Sequence, residues 1–578
     1  MNFKHVTIKN FRNFKEIETN LANKNIFFGM NDVGKTNFLY ALMFIFDKNR
    51  RQQGLLETDF YRHDTEIPIE IVVCLHLNDE NYENSDGGGE DEDTDKLRAR
   101  VRGLLDDDVY DLYIKLVAEY DVDLQVAEIK LFWGGDEDSY QEIPHNGKEL
   151  DKVFNVVYID AYVDMHRMFQ KDIVSIFKKE ASNETEETQN KIKDIVKQLN
   201  DEIGNLEKVK HFQDNIKDLY LRNNQELQIK ILSELAANSI CDKIFPYMQL
   251  NGDDKVYPTS GAGRRKLLVY AMYEFLLQEK QKERINLYMI EEPENNLHPS
   301  MQKALSRKLF ENKYSYRYLF MTTHSSYMLT DMDNVNMVRI FNENKVNVSS
   351  YFYQLGEEFA TIRKKINSRI SEAIFADRVL MVEGPSEEIL FDAVLNHVVG
   401  DYLMLGIYIL PVNGINFQIY RCVLNGLKIF TCIKTDNDLQ KVNNTKSYML
   451  LGFSRCNGLI KTCEGFVNED LLPEERIASN AVKHKRALYK NNKEAIENMA
   501  EKYAIYLSEV DLENDLNKVI NLKSYNTTVS KMQKKKQYNM VELINLINQR
   551  EDAEKVYKGI YEHDLFACVR RMVEKNGE

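Results

Sequence analysis

Residues 29–36 read Gly-Met-Asn-Asp-Val-Gly-Lys-Thr and match the pattern GxxxxGK(S/T). The apolar run from Ile26 to Phe28 precedes this segment, and a helical pattern rich in apolar residues follows it as far as Phe46. A strand, a glycine-bearing loop and a helix in this order form a phosphate-binding loop, because the loop N–H groups and the helix amino terminus face the phosphate. The segment therefore predicts an α/β domain that binds a nucleotide.

The residue types of this loop predict how ATP and its Mg²⁺ are held. Lys35 is expected to reach the outer phosphates, and the hydroxyl of Thr36 is expected to bind the metal ion. The other residues of the segment that we expect at the ATP site are Asn31, Gly34 and Asn37.

A second apolar run, Leu287 to Ile290, ends in two carboxylates, as a Walker B strand does. Glu291 is expected to hold Mg²⁺ and Glu292 to orient the attacking water. Aspartate is usual at the first of these positions. Because phosphoryl transfer depends mostly on positioning, the longer side chain of Glu291 favours slow or regulatory turnover of ATP.

Two further segments complete the order of an ATP-binding cassette. Residues 259–262 (Thr-Ser-Gly-Ala) lead into a helical pattern, and residues 322–325 (Thr-Thr-His-Ser) follow an apolar strand. This order resembles the ATP-binding-cassette heads of the SMC and RecF group. The resemblance implies that Ser260 and Gly261 meet the γ-phosphate bound by a partner subunit, and that His324 contacts that phosphate within its own chain.

The chain departs from a hydrolytic cassette at three points. Ala262 stands where a second glycine is common, Glu291 begins the Walker B pair, and Gln52 and Gln53 lie too soon after the first helix to serve as the usual glutamine. These departures affect the residues for ATP hydrolysis and leave the loop that binds ATP intact. Whether ATP is hydrolysed therefore stays an open question. We expect ATP to act chiefly as a ligand that restrains a second activity.

That second activity is indicated by carboxylates at two strand ends. The apolar strand Val379 to Val382 ends in Glu383, and Glu387 follows at the start of a helix. The later strand from Ile429 to Thr435 ends in Asp436-Asn437-Asp438. Because the carboxyl ends of parallel strands meet at one sheet edge, these acids are expected to lie together. The pairing of VEGxxE with DxD resembles the Toprim domain of topoisomerases, primases and OLD-family nucleases.

Further charged residues lie downstream of these two motifs. Residues 507–515 add more acids to a strand end, and three lysines at 534–536 precede an apolar helix. Oxygen ligands without His or Cys suit Mg²⁺ or Mn²⁺, and two such ions with a lysine can cleave a phosphodiester. The expected metal ligands are Glu383, Glu387, Asp436, Asp438, Asp511 and Glu513. The expected catalytic residues are Glu383, Asp511 and one of Lys534, Lys535 and Lys536. Of these three lysines we choose Lys536, which is nearest the helix start.

These motifs divide the chain into five segments. The predicted fold class is α/β, with an ABC-type ATPase head split by a helical insertion and followed by a C-terminal Toprim domain. The predicted boundaries are 1–155 for the first part of the head, 156–245 for the helical insertion, 246–350 for the second part of the head, 351–377 for a helical linker and 378–578 for the Toprim domain.

Composition agrees with a soluble multi-domain chain. The 578 residues imply two to four folding units, and 43% hydrophobic residues exclude a disordered chain. The net charge of −15 argues only weakly against nucleic acid as a partner, because part of the excess lies in an acidic, glycine-bearing loop at 79–95. Seven scattered cysteines indicate neither disulfides nor zinc. With neither a signal peptide nor a long apolar run, we expect a cytoplasmic protein.

The order of all these parts resembles the OLD (overcoming lysogenization defect) family over essentially the whole chain, including its antiphage nucleases. The resemblance implies a metal-dependent endonuclease that cuts double-stranded DNA and acts with a UvrD-like helicase. It also implies that the helical insertion dimerises, that the assembly is a homodimer or homotetramer, and that bound nucleotide restrains the nuclease.

Two other functions stay open. A RecF- or SMC-like DNA repair ATPase has the same head, but its main activity needs no complete carboxylate cluster. A topoisomerase or primase shares the Toprim domain but not the cassette head.

Overall fold

The computed structural model describes most of the chain, which forms two compact units. The first unit contains residues 1–151 and 303–578, and the second contains residues 152–302. The described residues are 1–30, 33–77, 92–101, 105, 109–162, 168–169, 173–174, 186–210, 247–249, 256–258, 262–280, 284–311, 316–413, 417–464, 471–473, 476–477 and 481–574.

Strands dominate the first 153 residues, and helices dominate the second unit. The elements as far as residue 153 are β1 (Asn2–Phe11), β2 (Phe14–Asn20), β3 (Lys24–Phe28), α1 (Lys35–Phe46), α2 (Lys48–Gln53), β4 (Ile69–His76), α3 (Glu92–Arg100), β5 (Asp111–Asp121), β6 (Val126–Gly134), β7 (Gln141–Glu142) and α4 (Pro144–Val153). Those from 154 to 311 are β8 (Phe154–Ile159), α5 (Glu186–Asn205), β9 (Tyr247–Gln249), β10 (Val256–Pro258), α6 (Ala262–Lys280), β11 (Ile285–Glu291) and α7 (Pro299–Glu311).

The remainder of the chain alternates strands and helices. Its first elements are β12 (Tyr318–Thr322), β13 (Val335–Glu343), β14 (Lys345–Tyr353), α8 (Arg363–Ala373), β15 (Arg378–Val382), α9 (Pro385–Val398), β16 (Ile407–Pro411), α10 (Phe417–Gly426), β17 (Phe430–Thr435), β18 (Gln440–Lys441), β19 (Tyr448–Met449) and α11 (Leu451–Glu464). The last are α12 (Val482–Asn491), α13 (Lys493–Tyr503), β20 (Ile505–Leu507), α14 (Leu512–Val519), α15 (Val529–Met532), α16 (Lys536–Asn548), α17 (Ala553–Glu562) and α18 (Ala567–Val573).

An antiparallel sheet opens the first unit, with strand order β2-β1-β4-β5-β6-β7. Its central strands alternate, as β5 does by burying Leu112, Ile114 and Leu116 while the residues between them are partly exposed. This period of two is what a strand adopts when only one of its faces packs on a core.

The nucleotide-binding loop belongs to a different sheet. In the first unit, β3 lies between the parallel strands β12 and β13, and β14 pairs with β13 as an antiparallel hairpin. The side chains of Asn25 to Phe28 in β3 are fully buried. A strand buried on both faces is a near-continuous apolar run, which is the pattern that preceded the glycine-bearing loop in the sequence.

The second unit pairs β8 with β11 in parallel, from Phe154 beside Ile285 to Ile159 beside Ile290. It also contains the predicted helical insertion, of which the structure describes residues 156–162, 168–169, 173–174 and 186–210. The helical pattern predicted around residues 192–199 falls within α5. The pattern predicted over residues 212–221 lies outside the described residues.

The C-terminal sheet is parallel throughout, with strand order β16-β15-β17-β20. Helices α9 and α18 pack against it, and α16 and α17 pack on α9, around a buried apolar core that includes Leu380, Phe391, Leu516 and Tyr557. Since β15 and β17 are neighbours, the residues that follow them, Glu383 and Asp436, stand side by side at the carboxyl edge of the sheet.

The hairpin of β13 and β14 connects the nucleotide-binding sheet with this C-terminal sheet. Arg339 on β13 donates a hydrogen bond to the carbonyl of Lys428 at 2.8 Å, and Ser349 on β14 donates one to the carbonyl of Leu427 at 2.9 Å. Both acceptors immediately precede β17. These bonds therefore fix the start of β17, the strand that Asp436 follows.

The sequence patterns located most strands but not this hairpin. The linker predicted as helical over residues 351–377 is helical only over Arg363–Ala373, because residues 351–353 complete β14 and residues 357–359 form a short 3-10 turn. In the described part of the chain, no helix has both the length and the apolar character that a membrane span needs.

Asn367 on α8 is a buried polar residue that connects the linker helix with the end of β14. Its Oδ1 accepts a hydrogen bond from the hydroxyl of Tyr353 at 2.6 Å. Its Nδ2 donates to the carbonyls of Thr330 at 3.1 Å and Met332 at 2.8 Å. With no exposed surface, the amide depends on these three partners for all of its hydrogen bonding.

We expect Asn367→Leu to lower the free energy of unfolding by about 3 kcal/mol, because two carbonyls and a hydroxyl lose a partner inside the protein. Urea titration followed by tryptophan fluorescence and circular dichroism measures the change. The matched control is Asn498→Ala on the exposed face of α13, which should change stability by no more than about 0.5 kcal/mol. Equal midpoints for the two variants would contradict the anchoring role.

Candidate functional site

The glycine-bearing loop runs from the end of β3 to the start of α1. Lys35, the first residue of α1, is buried, and its ammonium donates to the carbonyls of Gly29 at 3.2 Å and Met30 at 2.6 Å. The lysine thus lies folded over the loop, where a phosphate can replace the carbonyls as its partner. Thr36 is the next residue of the helix, and Asn31 lies outside the described residues.

A polar network from the first β-turn supports this loop. Gly34 has a φ of +103°, and a Cβ there would collide with the side chain of Asn13. Asn13 donates to the carbonyl of Val33 at 2.7 Å and accepts from Asn37 at 2.8 Å, while Arg12 donates to Asn37 at 2.8 Å. Asn37, predicted to line the ATP site, is therefore oriented by two residues that the sequence patterns did not single out.

The strand register brings His324 close to this loop. Thr322 on β12 pairs with Phe27 on β3, and His324 and Gly29 each stand two residues beyond that pair. The N–H of Thr323 donates to the carbonyl of Phe27 at 3.2 Å, which continues the ladder past the strand end. His324 is exposed.

The Walker B pair lies in the second unit. Glu291 ends β11 and is buried. Glu292 adopts a φ of +38°, and its carbonyl accepts a hydrogen bond from the buried Lys266 at 2.8 Å, while its Oε2 accepts one from Asn295 at 2.8 Å. Ser260 and Gly261 lie outside the described residues.

At the Toprim edge, Glu383 joins the ends of β15 and β17. Its Oε1 accepts hydrogen bonds from the hydroxyl of Thr435 at 2.7 Å and from the N–H of Asp436 at 2.8 Å, and it also pairs with Arg455. The adjacent Asp436 accepts a hydrogen bond from Ser508 at 3.0 Å, which links the cluster to the end of β20. Three strand ends are thus held together by side chains.

The remaining predicted residues approach from helix amino termini. Glu387 lies in the first turn of α9 and is buried. Asp511 caps α14, where its Oδ1 accepts from the N–H of Asn514 at 2.8 Å. Glu513 is only 1% exposed, and its Oε1 lies 3.4 Å from the ammonium of Lys536. Lys536 begins α16, whereas Lys534 and Lys535 point to solvent.

Crowding and burial of these acids change their ionisation. Burial, together with the charge of Glu383, raises the pKa of Glu387 to about 7. Burial and the neighbouring carboxylates raise the pKa of Asp436 well above its usual range, and burial raises that of Glu513. Burial alone would lower the pKa of Lys536, but the charges of Glu513 and the other carboxylates outweigh it and the pKa is raised. The edge therefore favours the binding of cations.

Two residues of α11 that the sequence patterns did not single out complete the edge. Arg455 pairs with Glu383 and lies 3.4 Å from Asp438. The N–H of Gly452 donates to the carbonyl of Asp438 at 3.0 Å, and a Cβ on Gly452 would lie 2.6 Å from the carbonyl oxygen of Asp436. A glycine followed by an arginine on a helix is too common a pattern to have identified either residue.

Comparison with known proteins identifies both domains. Residues 1–329 match the model of the AAA ATPase domain, and residues 374–438 match that of the overcoming lysogenization defect protein-like TOPRIM domain. The chain is 40% identical over 595 residues to "Endonuclease GajA" of Bacillus cereus strain VD045, and the match covers 99% of each protein. The chain belongs to the GajA endonuclease family.

Two further relatives match over shorter parts of the chain. Another GajA endonuclease, from Bacillus cereus strain HuB5-5, is 24% identical over 39% of this chain and 38% of its own length. The DNA replication and repair protein RecF of Streptococcus agalactiae (strain 2603 V/R) is 37% identical, but over 13% of this chain and 21% of its own length. Membership of the GajA family confirms the predicted ATPase head with a C-terminal Toprim domain, and it confirms the prediction of an endonuclease.

Gly452 offers a test of how tightly α11 must approach the acidic edge. We expect Gly452→Ala to lower the free energy of unfolding by about 1–3 kcal/mol and to reduce nuclease activity strongly, because the new Cβ would meet backbone atoms that cannot rotate away. Urea denaturation and a plasmid cleavage assay measure the two effects.

Gly458→Ala on the same helix is the matched control. A Cβ at Gly458 meets open space, so this variant should keep full activity and gain up to about 1 kcal/mol from the higher helix propensity of alanine. If both alanine variants were equally active, close approach of the helix to the edge would be irrelevant to the site.

Proposed function

We propose that this chain is a divalent-metal-dependent DNA endonuclease of a Gabija-type bacterial antiphage defence system, and that ATP in its head restrains cleavage. The carboxylate edge formed by Glu383, Asp436 and their neighbours carries the proposal. A RecF- or SMC-like repair ATPase is the alternative, but such a function gives no reason for burying so many acids around Lys536.

The donor set fits Mg²⁺ or Mn²⁺. All the candidate ligands are carboxylates, which these hard ions prefer. Among the described residues no hydrogen-bond donor reaches Oε2 of Glu513, although this atom is buried, so the carboxylate retains an unused acceptor. The proposed ligands are Glu383, Glu387, Asp436, Asp438, Asp511 and Glu513. Bound there, two ions supply an activated water and neutralise charge on the phosphate.

The chain's own residues would position the DNA and stabilise charge. Lys536 is the proposed catalytic lysine, since its ammonium is held at the cluster by Glu513 and remains 48% exposed toward an incoming phosphate. Asp511 is fixed at its helix cap by Asn514 and by Gln533, whose amide donates to its Oδ2 at 2.8 Å. We propose double-stranded DNA as the substrate.

In the head, we propose that ATP binds at the glycine-bearing loop. Lys35 exchanges its two carbonyl partners for phosphate oxygens, and His324 meets the γ-phosphate from the neighbouring strand end. Thr36 and Glu291 are the proposed Mg²⁺ ligands, with Glu292 beside the water. The other residues that we propose at the ATP site are Asn31, Gly34 and Asn37 from this loop, and Ser260 and Gly261 from the head of a partner subunit.

Packed residues connect the nucleotide loop with the Toprim edge, and this connection supports the proposed restraint of cleavage by ATP. A Cβ on Gly29 would collide with the carbonyl of Ile340, so the nucleotide loop and β13 are in close contact. Arg339, the preceding residue of β13, donates to the carbonyl of Lys428 before β17, and Asp436 directly follows β17. If ATP binds the inactive arrangement about a hundredfold more tightly, the bias is about 2.7 kcal/mol.

We propose a homodimer or homotetramer that works with a UvrD-like helicase partner, GajB, in the cytoplasm. The exposed apolar side chains of Ile195 and Leu199 on α5, spaced four residues apart, support a role of the insertion in dimerisation.

The nuclease proposal predicts that Glu383→Gln or Asp511→Ala lowers plasmid cleavage about a thousandfold or more in Mg²⁺ or Mn²⁺, because the metal ligands act as a unit. Gel analysis of supercoiled plasmid, with and without ATP, measures nicking and linearisation. The exposed Glu551→Gln removes the same charge and should cleave normally. Undiminished cleavage by the Glu383 and Asp511 variants would refute the site.

The regulatory proposal predicts that Lys35→Ala cuts DNA at the rate of the unmodified protein without ATP but no longer responds to ATP. The exposed Lys48→Ala on α2 is the matched control and should keep the response. Cleavage is measured against ATP at fixed free Mg²⁺, so that chelation of the metal does not imitate inhibition. Stimulation by ATP, or inhibition that persists in Lys35→Ala, would contradict this coupling.

A further inference from the structure

The start of α11 is built onto the acidic edge of the Toprim sheet. The N–H of Gly452 bonds the carbonyl of Asp438, and the helix backbone at Gly452 is too close to Asp436 for any side chain. Arg455 follows three residues later, on the same face of the helix. Backbone contacts therefore place the helix segment that carries Arg455 beside the acidic edge.

The guanidinium of Arg455 lies among the residues proposed to bind metal. It pairs with Oε1 of Glu383, contacts the hydroxyl of Thr435, and lies 3.4 Å from Oδ2 of Asp438. The side chain is only 24% exposed. A guanidinium stays charged at every pH that proteins tolerate, so in this contact it offsets one of the two negative charges whatever the pH.

The acids themselves do not form a cage in this arrangement. Within the described ranges, no three His, Cys, Asp or Glu side chains are disposed to hold a metal ion. Glu383 and Asp438 instead converge on Arg455, which supplies the positive charge that their proximity requires. Oε1 of Glu383 already accepts three hydrogen bonds, so an incoming divalent ion that binds this oxygen must displace a donor, and the positive charge of Arg455 opposes the ion at both carboxylates.

We propose that Arg455 is an internal cation that competes with the divalent metal for Glu383 and Asp438. The inference rests on the proposed metal site and adds a positioning residue to it. Metal that binds Oε1 of Glu383 must displace the guanidinium, and the charge of Arg455 repels the ion, so Arg455 raises the metal concentration at which the edge fills. Arg455 thereby holds the acids together in the metal-free protein and weakens their affinity for the ion.

Direct binding of Mn²⁺ to the full chain without nucleotide tests this role. The free-ion signal in electron paramagnetic resonance gives the dissociation constant independently of cleavage. We expect Arg455→Gln to bind Mn²⁺ at least tenfold more tightly than the unmodified protein. Arg455→Lys, which retains the charge, should stay within threefold of it. The control Arg550→Gln removes an equal charge from an exposed pair with Asp552 and should not change the affinity.

A purely structural role of Arg455 predicts the opposite result. If the arginine only supported the fold, Arg455→Gln would bind Mn²⁺ equally or more weakly, and either outcome overturns the proposal. Thermal melts without metal verify folding, and added Mn²⁺ should raise the melting temperature of Arg455→Gln more than that of the unmodified protein.

A double variant separates this inference from the proposed function. In Glu383→Gln, the further change Arg455→Gln should improve Mn²⁺ binding less than it does in the unmodified background, because one of the two contested ligands is gone. An equal gain in both backgrounds contradicts competition at Glu383. Absence of Mn²⁺ binding to the unmodified protein and to Arg455→Gln alike would refute the metal site itself.

Discussion

The structure of the C-terminal half depends on the repulsion among carboxylates gathered at one sheet edge. Glu383 and Asp436 follow adjacent parallel strands, so the sheet topology itself brings their charges together. Two donors from β17 and its end, the hydroxyl of Thr435 and the N–H of Asp436, satisfy Glu383, while Arg455 and Lys536 supply positive charge. Without such compensation, burying these acids would cost several kcal/mol each.

The head has a different electrostatic requirement, because its nucleotide site must accept a multiply charged ligand. There the positive charge lies on Lys35, whose ammonium donates to loop carbonyls. Asn13 and Asn37 maintain the geometry of the loop. The hairpin of β13 and β14 contacts both the nucleotide loop and the turn that precedes β17. One backbone element thus touches the supports of both sites and provides a packed connection between them.

Strand ends and the loops that follow them could be predicted from the sequence because each is formed by residues that are contiguous in the chain. The apolar runs of β3, β15 and β17 and the polar residues that follow them are contiguous, so Lys35, Glu383 and Asp436 could all be predicted. Gly452 and Arg455 could not, since their importance arises from a helix packing against a loop fourteen or more residues earlier in the chain. The hairpin of β13 and β14 was missed for a related reason. Its residues alternate only weakly, and their partners in β3 are separated from them by about three hundred residues.

The contact between Gly29 and the carbonyl of Ile340 affects how substitutions in this protein should be interpreted. A side chain at position 29 would displace β13 before any nucleotide arrived, and β13 also carries Arg339. A genetic screen would therefore recover substitutions of Gly29 as pleiotropic lesions, in which damage to the head and damage to the distant sheet share one origin. Alleles of Lys35 change the chemistry of the loop without crowding the strand, so the two kinds of allele report on different properties of the same loop.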